Sequence, residues 1–263
     1  MYEINSIRKS ILHMMACSKS SHIGSCLSIV ELLWTLYFRV LSIDAHNPAY
    51  SHRDKFILSK GHASVALYAT LAERGFFDKK ILDKFYIDDG VLPGHLDMEV
   101  VPGVEASTGS LGHGLSIGAG MAIANRLNGN PGRVFVLLGD GECNEGSVWE
   151  AVMLCSHLKL DSITAIIDFN KLQGFGRTND IINQSNLAER WKAFGWETYE
   201  TDGHNTNSLE KIFRANQKGP KAVIAHTVKG KGVSFMEDRL EWHYKSPNVE
   251  ELQQALKELE KEI

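Results

Sequence analysis

The sequence predicts an α/β fold: a parallel β-sheet with helices on both faces. Three observations predict it. First, apolar runs of strand length at 134–138, 163–168, 197–200 and 222–226 alternate with helical stretches at 147–158, 186–194 and 208–217. Strand–helix–strand at this spacing builds parallel sheets. Second, the run 134–138 is followed directly by an acidic turn bracketed by glycines, Gly139-Asp140-Gly141. In an open α/β sheet, ligands sit at that carboxyl edge. Third, 263 residues, 43% of them hydrophobic, suffice for a full core.

The elements follow in order. Residues 4–16 place Ile4, Ile7, Ile11, Leu12 and Met15 at helical spacing. A polar break follows, Ser20-Ser21-His22-Ile23-Gly24-Ser25. The next helix is expected over 28–40, with Ser28 as N-cap and Glu31 completing a capping box. Residues 56–58 form a short strand, and Ser59-Lys60-Gly61-His62 turns into a helix at 63–73. A short helix is expected at 78–86. From 88 to 114 the chain is glycine-rich and loop-like, ending in Thr108-Gly109-Ser110-Leu111-Gly112-His113-Gly114. Such a turn offers backbone N–H groups to an anion. Gly118, Ala119, Gly120, Ala122 and Ala124 mark a closely packed helix, and 249–260 is a charged amphipathic tail helix. No repeat or linker divides the chain, so residues 1–263 read as a single domain with a helical tail.

Bulk properties exclude several classes. The formal charge of −4 gives no footprint for nucleic acid or an anionic membrane. No segment reaches the roughly 20 apolar residues of a membrane span. Residues 1–19 carry Glu3, Arg8 and Lys9, unlike a signal peptide. Cys17, Cys26, Cys143 and Cys155 make no CxxC, which suits reduced thiols in a cytoplasmic protein.

The chemistry gathers at two strand ends. Between Gly141 and Asn170 lie 28 residues, the length of one helix and the next parallel strand. Asp140 and Asn170 are therefore expected side by side at adjacent strand ends. A carboxylate, an amide oxygen and a main-chain carbonyl are hard ligands, suited to magnesium or calcium. Gly139-Asp140-Gly141 followed by Asn170 resembles the thiamine diphosphate motif that opens with GDG and closes with asparagine. Ser21-His22-Ile23-Gly24, Ser59-Lys60-Gly61-His62-Ala63, Pro93-Gly94-His95, the 108–114 turn, and His226-Thr227-Val228-Lys229-Gly230-Lys231-Gly232 occur in the order seen in transketolases. The chain resembles that family from about residue 4 to Lys245, and Glu241-Trp242-His243-Tyr244 looks like the end of the N-terminal subunit of split transketolases.

The resemblance implies a thiamine diphosphate-binding fold of the diphosphate and metal type. It implies metal ligation by Asp140, Asn170 and the Leu172 carbonyl. His62, Gly109, Ser110, Leu111, Gly141, Asn170 and His226 would contact the cofactor, and Glu145 would support its activation across a subunit interface. His22, His95 and His226 would serve catalysis. Histidine suits such work because its unperturbed pKa of ~6.5 lies near neutrality. His13, His46, His52, His157, His204 and His243 are read as surface or satisfied buried residues, and Lys229-Gly230-Lys231-Gly232 as either a phosphate grip or a mobile solvated loop. His113 stands where the family commonly has glutamine.

The resemblance further implies transfer of a two-carbon ketol unit from a ketose, or ketose phosphate, to an aldose. The pyrimidine and C-terminal domains of the family are absent from the sequence. They are expected on a separate C-terminal subunit, in a heterotetramer active only when both chains are present. The alternatives are the α subunit of a 2-oxo acid dehydrogenase component, another thiamine diphosphate enzyme, or a non-catalytic cofactor-binding partner.

Overall fold

The computed structural model describes residues 2–261. Among these residues, ten α-helices and seven strands follow one another as α1 (Tyr2–Ser18), α2 (Ile23–Leu27), α3 (Val30–Thr35), β1 (Lys55–Leu58), α4 (Ser64–Arg74), α5 (Gly114–Leu127), β2 (Val134–Gly139), α6 (Gly146–His157), β3 (Ile163–Phe169), β4 (Leu172–Gln173), β5 (Gly176–Arg177), α7 (Thr178–Ile181), α8 (Leu187–Ala193), β6 (Glu197–Asp202), α9 (Thr206–Arg214), β7 (Lys221–His226) and α10 (Val249–Lys261). Five strands form one sheet in the order β1-β2-β3-β7-β6, every pair parallel. The register opposes Gly139 to Asp168 and Phe169 to His226, so three strands deliver their carboxyl ends to one edge. β4 and β5 make a small separate antiparallel hairpin, which the sequence pattern does not predict.

Alternation along the strands splits the core in two. Phe135, Leu137, Ile166, Val223 and Ala225 face one layer with the apolar sides of α1 to α4, α9 and α10. Val134, Val136, Leu138, Ile163, Ala165, Ile167, Ala222 and Ile224 face the other, with α5, α6 and α8. Helices thus cover both faces, as the pattern of alternating runs predicts. Gly118 lets α5 lie against β2, since a Cβ there would come within 2.5 Å of the Val136 side chain. The tail helix α10 docks on α1 through buried Ala255 and Leu259.

The segment 23–40 departs from expectation. Helix begins at Ile23, breaks at Ser28-Ile29 and closes as a π-turn over Leu36–Val40. Ser28 closes α2 through its backbone and is not the N-cap of α3; its hydroxyl donates to Asp168 Oδ2 at 2.8 Å, with the Ser25 carbonyl oxygen 3.1 Å away. A buried carboxylate needs donors more than a helix end needs a cap. Glu31 likewise turns to Arg8 and His204. Ile23–Val40 is also long and apolar enough to span a bilayer, contrary to the sequence-based expectation. It is 89% buried against the rest of the fold, as in a core helix. The expected helix at 78–86 is a 3-10 stretch, Lys79–Lys84. The long loop that follows is tied to the body by side chains: Ser64 to the Gly94 carbonyl, Tyr68 to those of Pro93 and His95, and Thr108 to that of Leu58.

Candidate active site

Two buried acids lie at the carboxyl edge, and they differ in their partners. Asp168, at the end of β3, is fully buried. It accepts from Lys60 Nζ at 2.5 Å, Ser28 at 2.8 Å, Asn170 Nδ2 at 2.8 Å and the Thr227 hydroxyl. Burial pushes its carboxyl up; the Lys60 ammonium and the other donors outweigh that and hold it below the usual range. Asp140, after β2, accepts from Gly141 N at 2.7 Å, Lys171 N at 2.8 Å and the Thr178 hydroxyl at 2.9 Å. All three donors are neutral. Burial, and then the Asp168 carboxylate, push Asp140 up. It is a buried carboxylate whose hydrogen-bond donors carry no charge.

Asn170 and Leu172 sit beside it. Asn170 Oδ1 accepts from Leu172 N at 3.0 Å, across a turn in which Lys171 has φ 65°. The Leu172 carbonyl accepts from Lys229 Nζ at 2.9 Å, so a cationic group already lies on one expected ligand. No group of three His, Cys, Asp or Glu side chains able to hold a metal occurs among the described residues. The donor set is instead one carboxylate, one amide oxygen and one carbonyl, which fits a hard divalent ion that keeps places for phosphate oxygens and water. Gly141 packs against Gln173, and the buried Gln173 Nε2 has no hydrogen-bond partner. A diphosphate oxygen is the kind of acceptor that donor lacks.

On the other side lies a histidine cluster. The rings of His22 and His62 are 5.1 Å apart, those of His22 and His243 4.9 Å, and those of His62 and His243 5.9 Å. His22 holds a left-handed backbone, φ 83°, and its N–H donates to the His243 carbonyl at 2.8 Å. A strained non-glycine residue held by its neighbours is typical of a working site. His22, His62 and His95 line a cleft of about 380 Å³, whose rim includes Tyr86 and Tyr244. Burial pushes His22 down to about 4 and His243 to about 3, and holds His62 well below its ordinary value; the ammonium groups of Lys60 and Lys229 act in the same direction. All three imidazoles are uncharged at neutral pH, and the positive charge resides in the two buried lysines. Burial, then Lys60, bring Lys229 to about 8.

The glycine turn closes the arrangement. A side chain on Gly61 would come 2.7 Å from the Thr108 carbonyl carbon, so the His62 loop and the 108–112 turn are pressed together. Gly109 faces the His95 ring, while Ser110 and Leu111 are exposed at its outer edge. Glu142, buried and not singled out by sequence, braces the turn. It accepts from Gly112 N at 2.9 Å, Ser59 at 2.5 Å and Gly139 N at 3.1 Å.

This geometry has known counterparts. Residues 2–260 match the thiamine diphosphate-binding domain of transketolase. The chain belongs to the transketolase family. It is 40% identical to an apulose-4-phosphate transketolase subunit from Phocaeicola vulgatus, over 97% of this chain and 92% of that protein. It is 41% identical to a 6-deoxy-6-sulfo-D-fructose transketolase subunit from a Clostridium species, over 99% and 96% respectively. The solved transketolase from Leishmania mexicana superposes with a TM-score of 0.91 at 27% identity; the match covers 98% of this chain and 41% of that one. The chain thus spans well under half of that transketolase.

The structure brings together most of the residues picked out by transketolase resemblance, and it separates one. His226, expected in both catalysis and cofactor contact, lies elsewhere. Its ring stacks edge-on to Phe169 at 5.3 Å and pairs with Glu200 Oε2 at 3.0 Å. It lines a second cleft of about 270 Å³ with Lys171, Asn179 and Gln184, which shares no residue with the histidine cleft. The reason is the period of two: Ala222 and Ile224 face the α5, α6 and α8 layer, and His226 continues that side of β7. His243, read as bland from sequence, takes the place in the cluster. Lys229, in a stretch that could be a phosphate grip or a solvated loop, is not solvated: it is 1% exposed and bonded to Leu172 O and His243 Nδ1. Their local signals were slight: a lysine before a glycine, and a histidine after a tryptophan that the fold buries. Glu145 precedes α6, exposed, with its Cβ against Gly112.

Proposed function

We propose that this chain holds thiamine diphosphate through magnesium or calcium and, with a partner subunit, moves a two-carbon ketol unit from a ketose to an aldose. The observation that carries this reading is the juxtaposition of an uncompensated buried Asp140 with three uncharged histidines backed by Lys60 and Lys229. Such a site would offer a metal and the Lys229 ammonium to a diphosphate, and neutral imidazoles to sugar oxygens, while Lys60 serves Asp168.

When bound, thiamine diphosphate supplies the carbon nucleophile and electron sink that the protein lacks. Everything else falls to the chain. Asp140, Asn170 and the Leu172 carbonyl would hold the metal. Gly141, the Gly109-Ser110-Leu111 turn, His62 and Lys229 would hold the diphosphate. His22, His95 and His243 would meet the substrate's hydroxyl and carbonyl oxygens. An uncharged imidazole can take a proton at one nitrogen or lend one from the other, and it does so close to neutral pH once a bound anion offsets the nearby ammonium groups.

Several features support a partner subunit. Relatives covered over 92% and 96% of their length are themselves named as transketolase subunits. Glu145 is exposed, as an acid reaching across an interface must be. A separate chain carrying the pyrimidine module, in a two-fold heterotetramer, fits these facts. The relatives' names specify a sugar phosphate and a sulfo-sugar, so we take the substrates to be anionic sugars. The described cysteines are free, in keeping with a reducing cytoplasm.

The test is reconstitution. The chain is mixed with a pyrimidine-domain partner, magnesium and cofactor, and offered a ketose phosphate with an aldose, or a 2-oxo acid. Ketol transfer that needs both chains is expected. Turnover of the 2-oxo acid instead, or ketol transfer by the single chain, would overturn the proposal.

A further inference from the structure

The loop that carries Lys229 is held by a largely buried relay whose side chains do not line the histidine cleft. Arg8 of α1 donates through Nη2 to Glu31 Oε1 at 2.5 Å and through Nε to the Lys231 carbonyl at 3.1 Å. Glu31 of α3 places its other oxygen 3.0 Å from His204 Nδ1. His204 Nε2 lies 2.9 Å from the main-chain nitrogen of Val228. A backbone N–H can only donate, so Nε2 is the acceptor. The ring proton is therefore on Nδ1 and is given to Glu31. The relay thus touches the loop at residue 228 and again at 231, with Lys229 between. Glycine makes the second touch feasible: Gly232 has φ 93°, and a Cβ there would fall 2.5 Å from Arg8 Nε.

Lys229 leaves that held backbone in one direction. Its stem packs on Gly24, where a Cβ would come within 3.0 Å of Lys229 Cγ. Its ammonium reaches the Leu172 carbonyl and His243. A buried lysine has many rotamers to lose, and its stem alone does not select one. The backbone position does.

We infer that His204, oriented by Glu31 and Arg8, is a positioning residue for Lys229: it sets the loop so that the buried ammonium joins the Leu172 carbonyl to His243. The assignment of this spot as a cofactor site rests on the proposed function; the positioning itself does not.

The experiment reads lysine accessibility in the full chain, by an amine-reactive reagent and mass spectrometry. In the unaltered chain Lys231, whose side chain is 37% exposed, is expected to label readily, and Lys60 and Lys229, each 1% exposed, to be protected. His204→Phe keeps a ring and removes both hydrogen bonds. Lys229 labelling is expected to rise at least tenfold with Lys60 still protected. His204→Gln restores an acceptor for Val228 N and should return Lys229 most of the way to protection. Glu31→Gln, a milder change in case His204→Phe does not fold, should give a rise of about threefold. Protection of Lys229 in His204→Phe would overturn the inference. So would labelling of Lys60 and Lys229 in parallel, because that reports general loosening. If the unaltered complex fails to bind thiamine diphosphate, the functional reading falls while the labelling ratio still decides this one.

Discussion

At the scale of single residues, the site works by keeping charge and protonation apart. Three imidazoles are uncharged because they are partly buried beside two ammonium groups, and one buried carboxylate is hydrogen-bonded only by neutral donors. His243 and His226 make the sharpest contrast. His243→Ala should lower kcat/KM for ketol transfer by at least ~10²-fold in the reconstituted complex, the usual scale for a lost general acid or base. His226→Ala should change it by less than about threefold, and a large loss there would restore the sequence-based assignment. Asp140→Ala should abolish the magnesium dependence of cofactor binding, as followed by titration calorimetry. Persistence of that dependence would place the metal elsewhere.

At the scale of elements, the helices at the start of the chain do more than fill a layer. α1 and α3 contribute Arg8 and Glu31, and the turn after β6 contributes His204. Burial alone would raise Glu31, but the His204 hydrogen bond and the Arg8 charge bring it to about 2, against an ordinary 4.5. A depressed carboxyl stabilises the fold fully above the unfolded value, and that stability is lost as pH falls through the folded one. Glu31→Gln should therefore cost on the order of 3 kcal/mol at pH 7. The gap between the two proteins should close as pH drops from about 4.5 to about 2, as read from urea unfolding at a series of pH values. A gap independent of pH would show that packing, not charge, sets the contribution of Glu31.

At the scale of the whole molecule, one sheet edge gathers residues far apart in the chain. Asp140, Asn170 and Leu172 follow β2 and β3; His22 and His62 come from turns near α2 and α4; Lys229 and His243 come from the segment after β7. A metal and cofactor binding there would tie these segments together. Removing the metal with a chelator should lower the melting temperature of the cofactor-loaded complex, by the equivalent of about 2.7 kcal/mol if ligand was present at a hundred times its Kd. An unchanged melting temperature would argue against coupling between metal and fold.

The chain's own pattern determined much of this. Strand runs, glycine turns and the spacing of Asp140 from Asn170 are local or set by regular element lengths, so the parallel sheet and two adjacent strand ends were legible in the residues alone. His22, His62, His95 and the turn at 109–111 were picked out by glycine-flanked loops together with the resemblance to transketolases, and the fold draws the three histidines to one cleft. What only the tertiary structure decided depends on which face a side chain takes and what crosses to meet it. His226 ends a strand, and the alternation of β7 carries it away from the cluster. His243 and Lys229 lie in segments without periodicity; Lys229 is buried and His243 half-buried because the chain folds back over α2. Ser28 and Glu31 form a capping pattern in sequence, yet distant Asp168, Arg8 and His204 claim them. A buried charge outbids a local cap, because leaving it unpaired costs more than leaving a helix end to its neighbours.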